Sequence, residues 1–520
     1  MKLLCCNFTR NKRYITKNFF IYFAFFTFAK KMNPTLLLAI FIFYIFVLFL
    51  AAYLTSRKAN NESYFLSNRK APWYLVAYGM IGTSLTGVTF VSVPGLVGKT
   101  GFTYLMVVVG YILGYIVIAF VLLPTYYKHN VTSIYEYLKN RFSIQAQKSG
   151  AWLFLISRSL GSSLRMFIVI VILQIFVLSN FGIPFWLSTI IFLLIIHGYT
   201  LVGGVKTIVW TDTIQTTFMI ASLILTIYFI AQFMNTNVNG LLDNIFNSSY
   251  FYIVDNNPAS KNYWAKLLIS GMFITISMTG LDQEMMQKNL SISTLKNSQK
   301  NMMVFSIILA IVDFIFLILG GSLYLYADYV NIGALQTSDY LYPTISFYYM
   351  NQIVGIIFFI GMIAASFSGT DAALTALTTS ITIDLLNLPQ KIQSNKKLKQ
   401  YRMLIQWCVS VGMFILIMIF YAANNKAILD TLFTIAGYTY GPLLGLFAFG
   451  ILTKANIDGG SIWQVVLFSP LCSLALMKIL KTNFQFYVGW EVLVINALIT
   501  FILLWMIKEQ RDSQFELAHQ

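Results

Sequence analysis

The sequence predicts an all-α polytopic membrane protein, and three observations carry that prediction. The chain of 520 residues is 58% hydrophobic and only 10% charged, a balance that water-soluble domains do not show. Apolar runs of about 20 residues, the length of helix that crosses a bilayer, recur from near residue 34 to near residue 507. Lys and Arg collect in alternate short loops between those runs. The lipid bilayer is therefore the expected environment, and no stretch is left over for a sizeable soluble domain.

About thirteen membrane helices are expected in order along the chain. The first, near 34–54, is a continuous apolar run. The second, near 73–98, carries Gly82, Thr83, Ser84, Thr86, Gly87, Thr89, Ser92, Pro94 and Gly95, a run unsuited to an unbroken lipid-facing helix. Spans near 102–127, 150–179, 184–203 and 206–234 follow. The seventh, near 263–283, is interrupted again: Gly271, Thr275, Ser277, Thr279 and Gly280 lead into Asp282, Gln283 and Glu284. Spans near 301–327, 352–385, 401–423, 428–453, 461–480 and 486–507 complete the set. The two interrupted spans open two groups of five. Matched interruptions in two halves point to a central transport site, although Gly and Pro are common in membrane helices without one.

The loops give the orientation. Loops 55–72, 128–149, 284–300 and 387–402 are basic, with Arg57, Lys58, Lys128, Arg141, Lys288, Lys296, Lys397 and Arg402 among their residues. The alternate loops hold Lys99, Lys261 or nothing. The positive-inside rule makes the basic set cytoplasmic, with the start of the first span outside, the C-terminus inside and the cell (inner) membrane as location. It also accounts for the formal charge of +17 without nucleic acid as a partner. Cys5, Cys6, Cys408 and Cys472 form no ligand-spaced cluster or disulfide framework. His197, near a span end, reads as a hydrogen-bonded helix residue.

The first 31 residues do not fit this topology: they carry seven Lys and Arg residues on the side expected to be outside. Their apolar run, Phe19 to Phe28, is too short to span. The expectation is a start at Met32, with 1–31 a non-native or disordered extension, 32–510 the membrane domain and 511–520 a cytoplasmic tail. A peptide containing Cys5 in the intact protein would refute the Met32 start.

The span from Ile353 to Leu386 is the richest in chemistry. Ser366, Ser368, Thr370, Thr375, Thr378 and Thr379 crowd one apolar helix around Asp371. A carboxylate near the bilayer centre costs roughly 2.5–3.5 kcal/mol, so it normally faces a polar cavity or a cation. Gathered oxygens suit a hard cation such as sodium. The other reading is a helix–helix interface of small residues and hydroxyls.

Six segments in order resemble the sodium:solute symporter family, which has the LeuT-type fold. They are ESYFLSNRKAPWY (Glu62–Tyr74), IGTSLTGVTFVSVPG (Ile81–Gly95), TSIYEYLKNRF (Thr132–Phe142), YTLVGGVKTIVWTDTIQ (Tyr199–Gln215), TGLDQEMMQKNLS (Thr279–Ser291) and AASFSGTDAALTALTTS (Ala364–Ser380). The resemblance implies a five-plus-five inverted repeat over 73–234 and 263–453, with one extra helix before and two after.

It also implies a sodium site between the first and eighth core helices. Its ligands would be carbonyls of Gly82, Leu85 and Ala365 and the hydroxyl of Ser368. The second hydroxyl position is Gly369, a departure that implies either a weaker site or one filled by water, Ser366 or Thr370. A second cation position would use Asp212 of the TD..Q motif with Ser368 and Asp371, one turn apart on one helix face. Thr86, Thr89, Tyr111, Tyr115, Thr275 and Thr279 are the candidate substrate contacts, with Thr89, Thr275 and Met278 standing where sugar-transporting members carry amides and a tyrosine. Arg158 and Arg165 share a face of the third core helix. Arg165 could grip an anionic substrate or pair with Asp313.

The resulting expectation is a sodium-coupled symporter, a monomer and not an enzyme, importing a small organic solute for which a carboxylate is one candidate. Sodium binding favours the outward-open state, substrate completes the site, and the bundle rocks inward. Proton coupling, and a channel or sensor built on the same fold, are the alternatives. An intramembrane enzyme lacks its paired catalytic residues.

Overall fold

The computed structural model describes residues 33–56, 61–333, 335, 337–423, 428–457, 459–484 and 488–508. The expected extension 1–31, Met32 and the tail 511–520 lie outside the described residues, as do Arg57 and Lys58.

The described chain is almost wholly helical. In order the membrane helices are α1 (Pro34–Ser56), α2 (Trp73–Ser84), α3 (Gly87–Thr100), α4 (Tyr104–Lys128), α5 (Ile144–Phe176), α6 (Phe185–Gly203), α7 (Val205–Phe233) and α8 (Trp264–Gly280). They continue with α9 (Gln283–Leu290), α10 (Leu295–Tyr329), α11 (Gln352–Leu385), α12 (Asn395–Ala423), α13 (Ile428–Leu452), α14 (Gly459–Phe484) and α15 (Val492–Met506). Nine described helices are long and apolar enough to cross a bilayer, eleven when each bent pair counts as one span. The shorter apolar helices α6 and α15 stand at the two other predicted positions.

Both interrupted spans are broken where the sequence places the polar and glycine residues. The α2–α3 pair bends by 61° and the α8–α9 pair by 63°. At the first break the Leu85 amide still bonds Ile81 at 2.8 Å, and Thr86 then turns to extended backbone. At the second, Asp282 caps α9 by accepting from the amides of Glu284 (2.8 Å) and Met285 (3.4 Å).

Three helices begin about two turns earlier than hydropathy suggests. Ser143 caps α5 through the Ala146 amide, and Thr294 caps α10 through the Asn297 amide, both at 3.3 Å. The starts of α5, α10 and α12 carry Lys148, Lys296 and Lys396, which keep them out of an apolar window, and in α5 and α10 the caps begin the helix regardless.

Burial ranks the helices. In α11, 78% of the apolar window is buried inside the protein, against 22% in α1 and 28% in α12 and α14. The oxygen-rich helix is therefore central, and α1, α12 and α14 are peripheral. It packs along α7, while α2 lies across both. The helices α4 and α8 cross at glycines: a Cβ on Gly110 would lie 2.2 Å from the Leu268 carbonyl, and one on Gly271 2.2 Å from that of Val107.

Two loop residues read from the sequence as topology signals are buried. Arg402 lies over the Tyr64 ring at 3.6 Å and donates to the Leu201 carbonyl. Lys288 sits inside the bundle. The segment 132–142 docks through Arg141, which donates to the carbonyls of Gly450, Thr453 and Ala455. Asp384 holds the same region by accepting from Ser133 (2.7 Å), Gln147 (2.8 Å) and Ser380 (2.8 Å).

Candidate functional site

The break in α2–α3 brings four helices to one point. Ser368 of α11 donates to Asp212 Oδ1 of α7 at 2.8 Å. Thr83, at the end of α2, donates to Asp212 Oδ2 at 3.3 Å and lies 3.5 Å from the Ser368 hydroxyl. The Gly82 amide donates to Thr216 Oγ1 at 3.1 Å, and a Cβ on Gly82 would lie 3.0 Å from Ser368 Oγ. Thr83, Asp212 and Ser368 are all buried. The sequence anticipates that Gly82, Asp212 and Ser368 are neighbours, and they are.

It does not anticipate Lys288. The ammonium of this α9 residue forms an ion pair with Asp212 Oδ2 and donates to Thr83 Oγ1, buried with them. The Asp212 charge, reserved in the sequence reading for a cation, already has one from the protein.

Asp371 also departs from expectation. It lies one turn beyond Ser368 and is buried, but its oxygens accept from Tyr199 Oη (2.8 Å) and the Ala372 amide (2.6 Å). Asp212 and Asp371 therefore do not converge through direct contacts on one hydroxyl set. Tyr44 of α1 and Gln215 of α7 are buried polar side chains whose geometry gives no hydrogen-bond partner among the described residues.

Gly369 has a steric reason. A Cβ there would lie 2.7 Å from Thr86 Cγ2, so the Thr86 methyl occupies the space a serine would need. Ser366 and Thr370 do not fill the gap. Ser366 donates to the Met362 carbonyl (2.6 Å) and Thr370 to that of Ser366 (2.9 Å), each spent on its own helix. Leu85 and Ala365 are buried at the break and in α11 respectively.

Beside the break lies a cavity of about 90 Å³ lined by residues of α2, α3, α4, α5, α8, α9 and α10. Thr86, Thr89, Tyr111, Tyr115, Thr275, Thr279 and Met278 all line it. So do Arg158, Arg165 and Asp313. Arg158 is not available to a guest, because it pairs with Glu284 and lies 3.6 Å from Asp282 Oδ2, which also accepts from the Tyr440 hydroxyl. Arg165 does not pair with Asp313: its Nε, and both Asp313 oxygens, are buried without a hydrogen-bond partner among the described residues. A larger cavity of about 630 Å³ opens on the side of Lys99 and Lys261. Tyr104 lines both cavities and hydrogen-bonds Tyr111 at 3.0 Å, so it separates them.

His197 bonds Ser410 at 3.2 Å and stacks on Trp407 at 3.9 Å, as a packed helix residue.

The chain is similar to known transporters over most of its length. It is 24% identical to the sodium/sialic acid symporter NanT of Aliivibrio fischeri over 91% of this chain and 94% of that protein. It is 25% identical to the mouse sodium-coupled monocarboxylate transporter 1 over 77% of this chain, spanning 66% of that relative's length. The solved structure of a substrate-bound, outward-open Na+-coupled sialic acid symporter shares the fold, with a TM-score of 0.77 at 18% identity over 91% of this chain and 99% of that one. The profile of the sodium:solute symporter family matches residues 64–467, and the chain belongs to that family.

Proposed function

We infer that the protein is a sodium-coupled secondary active symporter that imports a small organic solute by alternating access across the cell membrane. One observation carries this reading: two helix pairs broken at matching positions flank a polar cavity, and one break also meets the buried oxygens of Thr83, Asp212 and Ser368. Unwound backbone beside a cavity is where a membrane protein can replace the water around an ion and a solute.

Residue chemistry suggests roles. Sodium is taken at the α2–α11 contact, by Ser368 and the backbone around Gly82, Leu85 and Ala365, with Asp371 as the buried charge nearby. Solute occupies the cavity against Thr86, Thr89, Tyr111, Thr275 and Thr279, with Arg165 as the group for a carboxylate. The wide cavity beside Lys99 and Lys261 is the outer vestibule, Tyr104 its floor, and the Lys288–Asp212 pair part of the closed cytoplasmic side. Membrane potential adds about 2.3 kcal/mol per charge per 100 mV to uptake. Family membership supports a transporter over an enzyme. Solute uptake into proteoliposomes with sodium or choline outside tests the reading; sodium-independent accumulation would refute it.

A further inference from the structure

We propose that the transported solute is a small zwitterion, whose ammonium is received by Asp313 and whose carboxylate is received by Arg165. The proposal rests on the symport reading and names the solute class for the same cavity.

Asp313 lies in the middle of α10, 1% exposed, and lines the cavity. Neither of its oxygens has a hydrogen-bond partner, and it makes no salt bridge among the described residues. A carboxylate left this way within a membrane bundle is costly, and either protonation or a cationic partner relieves it. Among the described residues no cation pairs with Asp313: Arg158 is engaged by Glu284 and Asp282, and Lys288 by Asp212. An ammonium on the guest would supply that partner.

Arg165 of α5 is the second unpaired ionic group lining the cavity. Its Nε is buried without a partner, it makes no salt bridge among the described residues, and it lines the same cavity. A guanidinium offers two parallel N–H groups that match a carboxylate. The other lining groups are hydroxyls and apolar side chains, which suit the neutral remainder of a small molecule. A monocarboxylate without an amine would satisfy Arg165 and leave Asp313 alone. An amine without a carboxylate would do the reverse.

The cavity is small, about 90 Å³, which suits a small α-amino acid as the guest.

The test uses a matched set on the purified full chain in sodium chloride. L-alanine, L-serine and L-valine are compared with L-lactate, which replaces the ammonium by a hydroxyl, and L-alaninol, which replaces the carboxylate. Thermal-shift titration and uptake into proteoliposomes are the readouts. At least one amino acid is expected to bind and be taken up at concentrations at least tenfold below those needed for lactate or alaninol. Asp313→Asn is expected to weaken that amino acid at least tenfold while leaving lactate no worse. The wild-type comparison decides by itself should the variant not fold. Lactate equal to alanine, no response to any amino acid, or an Asp313→Asn variant that needs more sodium but binds amino acid as before, overturns the proposal. Sodium-driven lactate uptake would overturn it while leaving symport standing. Amino-acid binding with no sodium-driven uptake would instead sink the symport reading.

Discussion

The Lys288 ammonium on α9 is buried against the Asp212 carboxylate on α7, and the same ammonium donates to Thr83 at the end of α2. One side chain thus ties the second broken helix to the first and to the scaffold. It also neutralises the acidic residue that the resemblance assigns to a second cation, so a sodium ion at Asp212 would have to compete with this tethered charge.

Replacing Lys288 by Met leaves Asp212 buried and alone. Breaking one side of a buried pair costs about 3–5 kcal/mol, whereas replacing both partners is often nearly neutral. The expected outcome is a Lys288→Met protein with a lowered Tm that sodium restores far more than it stabilises the wild type. The Lys288→Met/Asp212→Asn double variant should regain most of the stability and lose the sodium effect. A single variant with no enhanced sodium response would show that Asp212 does not accept the ion.

Gly369 and Thr86 exclude a serine at position 369 by the 2.7 Å approach of the Thr86 methyl. Gly369→Ser alone should cost about 1–3 kcal/mol through overpacking. Combined with Thr86→Ser, which removes that methyl, it should restore stability and lower the sodium needed for half-maximal uptake. Sodium titrations of uptake by the double variant check this; a requirement equal to wild type would remove position 369 from the ion site.

Asp371 is buried with Tyr199 as its hydroxyl donor at 2.8 Å. Asp371→Ala is expected to abolish or strongly weaken sodium-dependent uptake, with Tyr199→Phe intermediate by about 1 kcal/mol, the net worth of one hydrogen bond. Sodium affinity from thermal-shift titration is the measurement, and an unchanged affinity in Asp371→Ala would count against the assignment.

Tyr104 floors the wide cavity and holds Tyr111 at 3.0 Å. Tyr104→Ala should raise the KM for solute several-fold and speed its release outward, with sodium affinity nearly unchanged. Solute efflux under exchange conditions reads this directly.

Much of this was legible in the sequence because the signals were local. Gly82 to Gly87 and Gly271 to Asp282 announce broken spans, and the bends fall at 85–86 and 281–282. The Asp212–Ser368 meeting followed from motif resemblance, not from any local pattern. Charges in pairs across the bundle were not legible. Lys288 and Arg402 sit in basic segments that topology explains without a partner, and only the fold shows that each turns inward. Arg158 and Arg165 look equivalent on their helix, yet Arg158 is consumed by Glu284, whose place on α9 depends on the bend before it. The starts of α5 and α10 were displaced because a serine or threonine cap begins the helix despite a nearby lysine.

The most direct test of ion-coupled transport is accumulation of labelled solute in proteoliposomes, at fixed pH, under an imposed inward gradient of sodium or of choline. The solute is whichever compound most stabilises the purified protein. The account predicts uphill accumulation in sodium alone, with Ser368→Ala needing several-fold more sodium for half-maximal uptake. Equal accumulation in choline, or a Ser368→Ala variant with an unaltered sodium curve, would contradict it.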